Sequence, residues 1–457
     1  MALGGETSRH GMWSSRWMFI LAAAGSAVGL GNIWRFPFIA GDNGGGAFIL
    51  VYLLCIFLIG IPIMMAEVLM GREVRKSPIN TLRWLVSVSK ASPVWVLIGW
   101  MGVAAGFFIL SFYAVIAGWA LDYVLVTAQG TFVGVTADGA AAAFDSFLES
   151  PLKLMFWQTV FMVLTVWIVA RGVSGGLEVA IRVLMPLLFL LLLVMLAYAV
   201  TTGSFGEAAH FMFRFEWQRM GIEGVLAAMG QAFFTLSLGM GAIMAYGAYV
   251  PSSASVPGTV AIIALLDTVV AIVAGLVIFS IVFANGLEPG QGPGLMFITL
   301  PLAFGQMPMG TVFGAAFFLL VSFAALTSAI SLLEPAIAFL VEEYNAVRSR
   351  VAISLGVITW ILGLGTVFSF NLWADVHLVG ERTFFDLLDF LTNNIMLPLG
   401  GLLIGLFVGW VLPRKVLTEQ LEMSSLWLNA WLFLVRFVAP LGVLTVFVYT
   451  LYRAAMG

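Results

Sequence analysis

The chain reads as an all-α polytopic membrane protein of about eleven transmembrane helices. Three observations carry that reading. Of 457 residues, 62% are hydrophobic and only 9% charged, whereas soluble proteins are about half apolar and about a quarter charged. The mean hydropathy is +1.08. Apolar runs of about 20 residues, the length that crosses a bilayer, recur from end to end. Two of these runs are interrupted in the same way. Val28-Gly29-Leu30-Gly31 and Leu238-Gly239-Met240-Gly241 match in type, each beside small polar residues.

The expected spans are 16–40, 47–70, 94–126, 154–170, 176–200, 224–250, 260–284, 310–341, 351–370, 385–410 and 426–451. A signal peptide was weighed for the first, because Arg9 and Arg16 precede it and Ala22-Ala23-Ala24 resembles a cleavage site. The run continues through Gly29 into Asn32-Ile33-Trp34-Arg35-Phe36-Pro37, and its counterpart is internal, so a true span is expected. Spans one to five and six to ten form a 5+5 inverted repeat, with helices 1 and 6 unwound in mid-membrane. The divisions are an amino-terminal segment 1–15, a first repeat 16–200, an outer loop 201–223, a second repeat 224–411, and 412–457 with the eleventh span. Further outer segments with short helices are expected around 205–220 and 292–305, the latter opened by the turn-rich stretch 288–294.

Basic residues set the orientation. Arg9, Arg16, Arg72, Arg75, Lys76, Arg83, Lys90, Arg171, Arg348, Arg350, Arg414 and Lys415 fall on one side. Fewer, namely Lys153, Arg214, Arg219, Arg382 and Arg453, fall on the other. The amino terminus is therefore expected in the cytoplasm and the carboxyl terminus outside. The single cysteine, Cys55, excludes a disulfide framework and a cysteine metal site. Three histidines give no zinc cluster. No catalytic triad or nucleotide loop is evident, so no enzyme is expected.

Interrupted helices at matching places in two halves point to the substrate site of a secondary transporter. Unwound carbonyls and amides are costly in hydrocarbon unless ions, solute or protein satisfy them. Asp267 adds to this, since a charge inside an apolar span marks a functional position by default.

Gly25 through Pro37, followed by Asn43-Gly44-Gly45-Gly46-Ala47-Phe48, resembles the neurotransmitter:sodium symporter family. Gly60-Ile61-Pro62, Glu67, Gly71-Arg72, Ser237 through Gly241 and Ala324-Ala325-Leu326-Thr327-Ser328 extend the resemblance over nearly the whole chain. It implies a bacterial amino-acid member with the leucine-transporter fold, in the plasma membrane, importing its cargo with sodium. The implied partners are a small amino acid and the lipid bilayer, with no nucleic acid. Two co-transported sodium ions are implied.

By this resemblance the first sodium would be held by the Ala27 carbonyl, Asn32, Thr235, Asp267 and the substrate carboxylate. The second would use the Gly25, Val28 and Ala324 carbonyls, Thr327 and Ser328. The alternative for Thr327 and Ser328 is simple back-bonding to the preceding helical turn. Gly29 leaves space for a substrate carboxylate, which the amides of Leu30 and Gly31 and the positive end of a half-helix would attract. Tyr113 would bond the same carboxylate. Ile109, Phe234, Ser237, Met240 and Leu332 would line the side-chain pocket, with Leu238 and Gly239 in the second break. No ionic partner for a charged side chain is seen, so a hydrophobic or aromatic cargo is expected, and Met240 suits several shapes.

Asp267 would supply the negative charge that some relatives take from chloride, since Ala271 one turn later has no hydroxyl. Transport is thus expected to be chloride-independent, with proton counter-transport on the return step a further expectation. Arg35 and Asp389 match an outer gate, with Phe234 as the lid. Trp13, Tyr249 and Glu342 match an inner gate, whose cation is Arg9 or the adjacent His10. Glu67 would bond amides freed in the sixth helix. Gly176 and Pro186 bracket nine residues where local unwinding would open a water path. The rival readings are a carrier of betaine-like solutes or other amines, and a sensor without a transport cycle.

Overall fold

The computed structural model describes residues 8–288 and 294–456. Most of the turn-rich stretch 288–294 therefore lies outside the described residues, as do the first seven residues of segment 1–15. Among the described residues, nine helices are long and apolar enough to cross a membrane. They are Gly46–Val74, Pro93–Ala128, Pro151–Ala170, Val173–Thr202, Val256–Ala284, Gly310–Tyr344, Arg348–Ser369, Phe384–Val411 and Ser425–Tyr449. The pair Arg16–Ala27 and Gly31–Asp42, bent by 57° across a short break, makes a tenth span. At the place of the expected sixth span stand Trp217–Thr235 and Ala242–Gly247, separated by six residues of turns. A count of eleven is compatible with this arrangement.

Local chemistry sets the ends. Ser15 caps the first helix by accepting from the Met18 amide at 3.2 Å. Thr383 and Asp386 form a reciprocal capping box before Phe384–Val411. The sixth element starts at Trp217, ahead of the expected 224, because one extra turn joins it across Gly221, whose φ is +50°. Short helices at Phe205–Phe213 and Leu295–Gln306 occupy the two expected outer segments.

Gly310–Tyr344 is the most enclosed of the nine helices, and Val173–Thr202 and Ser425–Tyr449 are among the least. It packs along Pro93–Ala128 and touches Arg16–Ala27, Ala242–Gly247 and Val173–Thr202. The two broken elements therefore meet against one central helix, and the site lies at that meeting point.

Candidate functional site

The first break is short. Ala27 ends one helix, Val28 is extended with ψ 99°, and Gly31 begins the next. The second is a tighter coil in which Ser237, Gly239 and Gly241 have φ of +54°, +79° and +73°. Its free amide at Gly239 donates to Glu67 Oε1 at 2.8 Å. Gln231 Nε2 donates to the Gly31 carbonyl at 3.1 Å, joining the two breaks.

Two oxygen clusters form around them. In the first, Asn32 Nδ2 donates to Asp267 Oδ1 at 2.7 Å. Thr235 Oγ1 lies 3.0 and 2.9 Å from the two carboxylate oxygens. The Tyr52 hydroxyl donates to Oδ2 at 3.4 Å. Asn32 Oδ1 in turn accepts from the Gly29 amide at 3.2 Å. Asn32, Thr235 and Asp267 thus come together at a fully buried point.

In the second cluster, Ser328 Oγ lies 3.3 Å from the Gly25 carbonyl, 3.2 Å from Ser26 and 3.5 Å from Val28. One hydroxyl proton serves only one acceptor. The remaining oxygens converge with free lone pairs, an arrangement that suits a hard cation. Thr327 Oγ1 donates to the Ala324 carbonyl at 3.0 Å, which is the back-bonding weighed above, and its lone pairs stay available. Among the described residues no group of three His, Cys, Asp or Glu could hold a metal. Any ion held here would be bound by carbonyls, hydroxyls, the Asn32 amide and one carboxylate.

Between the two breaks lies a cavity of about 30 Å³. Ala27, Gly29, Leu30, Gly31, Ile109, Tyr113, Phe234, Ser237, Met240 and Leu332 line it. So do Ser26, Ser328 and Ser331. At one end the Leu30 amide donates to the Tyr113 hydroxyl at 3.4 Å. A Cβ on Gly29 would come within 2.7 Å of Ser328 Oγ and 3.0 Å of Tyr113 Oη. Gly29 therefore keeps open the end where a carboxylate would meet backbone amide and hydroxyl. Thr235, Leu238 and Gly239 do not line the cavity. They serve the Asp267 cluster and the turn instead.

Above Phe234 a larger cavity of about 300 Å³ is lined by Arg35, Phe112, Phe385, Asp389 and Asn393 among others. It adjoins one of about 550 Å³ that also borders Arg35 and Phe234. Arg35 and Asp389 face each other across this space without an ion pair within 4 Å. The guanidinium lies over the Phe234 ring, 4.8 Å from its centroid, and Asp389 accepts from Asn393 at 2.6 Å.

The opposite end is packed. Trp13 is buried against Tyr246 and Tyr249, and its indole donates to the Tyr246 carbonyl at 3.2 Å. Of Arg9 and His10, the structure brings His10 to Glu342. His10 Nε2 lies 2.9 Å from Glu342 Oε1, while Arg9 is exposed and bonds Asn345. Arg9 therefore makes its side-chain bond to Asn345 and not to Glu342. The chain must turn at Gly11, φ +95°, to bury Trp13, and this brings position 10 inward. Tyr249 does not reach Glu342 by hydrogen bond. Its hydroxyl donates to Glu334 at 2.8 Å, and Arg348 pairs with that carboxylate. Gly176 sits in a wound segment whose turn Val173–Leu177 is of π type. Pro186 lies within the helix that follows.

The sequence gives no site role to Ser26, Ser331, Tyr52, Glu334 or Arg348. Helical hydroxyls carry no pattern of their own. The reach of Tyr52 to Asp267 depends on packing across 215 positions.

Helices interrupted over an enclosed, membrane-buried cavity are the architecture of a secondary transporter. The chain belongs to the sodium:neurotransmitter symporter family, whose model matches residues 10–134 and 143–456. The uncharacterized sodium-dependent transporter YhdH of Bacillus subtilis is 39% identical over 441 residues, covering 95% of this chain and 96% of its own. An uncharacterized sodium-dependent transporter of Haemophilus influenzae is 32% identical over 448 residues, covering 96% and 98%. The crystal structure of MhsT in complex with L-phenylalanine matches with a TM-score of 0.88 and 44% identity, covering 96% of this chain and 99% of that one.

Proposed function

We propose that this chain imports neutral hydrophobic and aromatic L-amino acids together with two sodium ions, by alternating access and without chloride. The observation that carries this reading is the cavity shared by both breaks. It has an amide and hydroxyl at the Gly29 end, apolar walls at Ile109, Met240 and Leu332, and Ser328 of the second oxygen cluster on its wall, while the Gly29 amide leads to Asn32 of the first. The amino acid bound by the MhsT neighbour supports the cargo class. The substrate carboxylate would complete the first ion shell with Ala27, Asn32, Thr235 and Asp267. The second ion would sit among the carbonyls of Gly25, Val28 and Ala324 with Thr327 and Ser328. Each ligand then strengthens the other's binding, and that coupling is reciprocal. Every net positive charge carried inward gains about 2.3 kcal/mol per 100 mV.

The repeats 16–200 and 224–411 would supply the two moving parts. The amino terminus would lie in the cytoplasm, so the large cavities would open outward and the His10–Glu342 contact would seal the inner side. Scintillation proximity binding of radiolabelled phenylalanine tests the reading. Binding should require sodium and be displaced by leucine, tyrosine and tryptophan but not by glutamate, lysine or betaine. Displacement by betaine alone, or sodium-independent binding, would overturn it.

A further inference from the structure

Arg171 ends the helix Pro151–Ala170, and its guanidinium stacks on Trp167, 3.8 Å from the ring centroid. It is exposed and, among the described residues, has no carboxylate within 4 Å. It lies at the same end of the molecule as the His10–Glu342 contact, since Arg348, which pairs with Glu334 there, also donates to the Val169 carbonyl at 2.9 Å. A cation at that end of a membrane-spanning helix would stand near the lipid phosphates.

Two apolar grooves meet at this residue pair. One, of about 560 Å³, runs between Pro151–Ala170 and Arg348–Ser369 from Arg171 and Ser349 to Thr159 and Trp360. Twelve helical residues separate Arg171 from Thr159, a rise of about 18 Å. That is close to half of the ~30 Å hydrocarbon core, so the groove has the length of one leaflet. Gly356 makes its floor possible, since a Cβ there would lie 2.3 Å from Val166 Cγ2. Its deep end is closed where the Trp360 indole donates to Thr159 at 2.9 Å. The second groove, of about 280 Å³, lies on the other flank of Trp167 and Arg171, against Gly175, Val183 and Leu326.

We propose that an anionic diacyl phospholipid binds here, its phosphate on the Arg171 guanidinium and one acyl chain in each groove. Hydrocarbon is the solvent of these faces, and chains fill both grooves at no polar cost. The cation selects the headgroup, because anionic lipid attracts basic residues at the membrane surface and guanidinium pairs with phosphate in a two-pronged geometry. Trp167 holds that guanidinium flat and in place. Two chains and one charge match two grooves and one arginine.

Native mass spectrometry of the purified full chain tests this, with phosphatidylglycerol or phosphatidylcholine added after delipidation. Wild type should retain one phosphatidylglycerol under activation that strips phosphatidylcholine. Arg171→Gln should lower retention at least fivefold, and Arg171→Lys less. Arg414→Gln, which removes an exposed cation elsewhere, should change nothing. Val357→Trp, which fills the larger groove and leaves the arginine, should weaken diacyl lipid more than the single-chain lyso form. Monodisperse elution and an unchanged unfolding temperature would show that each variant is folded. Equal retention by wild type and Arg171→Gln would overturn the proposal. So would displacement of the lipid by soluble glycerol 3-phosphate, which would make this a simple anion site.

Discussion

Asp267 is wholly buried, and its hydrogen-bond partners, Asn32, Thr235 and Tyr52, are all neutral. A buried carboxylate without a cation costs several kcal/mol. On the proposed function sodium would remove that cost, and the charge itself would draw the ion. Asp267→Asn keeps the volume and most of the bonds but not the charge. Sodium affinity of the variant should fall at least tenfold, about 1.4 kcal/mol. Wild type should bind phenylalanine equally in sodium chloride and sodium gluconate, and the variant should bind better in chloride. Loss of wild-type binding in gluconate would remove the chloride-independent reading. Gly29 permits an equally direct test. Its added Cβ would meet Ser328 and Tyr113 at 2.7 and 3.0 Å, so Gly29→Ala should lower amino-acid affinity at least tenfold, or about 1.4 kcal/mol. Unaltered phenylalanine binding would show that the carboxylate lies elsewhere. Asp267 and Gly29 could be picked out in the sequence because each is an oddity there: a charge in an apolar run and a glycine in a broken one. Ser26 and Ser331, bonded to each other at 2.7 Å, could not. A serine in a membrane helix usually bonds its own backbone, and only packing brings these two face to face.

At the level of elements, the second break depends on three left-handed residues and one acid from a neighbouring helix. Gly239 has φ +79°, and a Cβ there would lie 2.6 Å from the Leu397 carbonyl. Strain of this kind costs about 1–3 kcal/mol per residue, so Gly239→Ala should lower the unfolding temperature, read by tryptophan fluorescence. Glu67 Oε1 takes the Gly239 amide. An amide oxygen can take the same bond, so Glu67→Gln should stay closer to wild type than Glu67→Ala in the same melt. If both variants melt alike, that bond contributes nothing to holding the coil. The paired glycine motifs made this element visible in advance. The π turn at Val173–Leu177 was not visible, and neither was the Gly11 turn that decides between Arg9 and His10, two candidates the sequence left open. Both depend on which neighbour fills the space, and spacing along the chain does not encode that.

Across the whole molecule, space is distributed unequally. Cavities of about 300 and 550 Å³ lie on one side of Phe234, while Trp13, Tyr246 and Tyr249 are fully buried on the other. A carrier that alternates must be able to exchange these two conditions, and ligand shifts the balance only through its differential affinity for them. The chain offers a clean way to watch, because its one cysteine, Cys55, is buried. A cysteine at Asn394, which lines the larger cavity, should react with a water-soluble maleimide when sodium is present alone. One at Ala248, buried beside Tyr249, should react slowly. Sodium together with phenylalanine should slow Asn394→Cys severalfold, as the gate residues close over the cargo. Replacing sodium by potassium should raise the reactivity of Ala248→Cys and lower that of Asn394→Cys. Opposite movement at the two positions is the signature of one coupled equilibrium. If both rise and fall together, the molecule breathes as a whole and does not alternate. If Asn394→Cys ignores both ligands, the large cavities are not the route to the site.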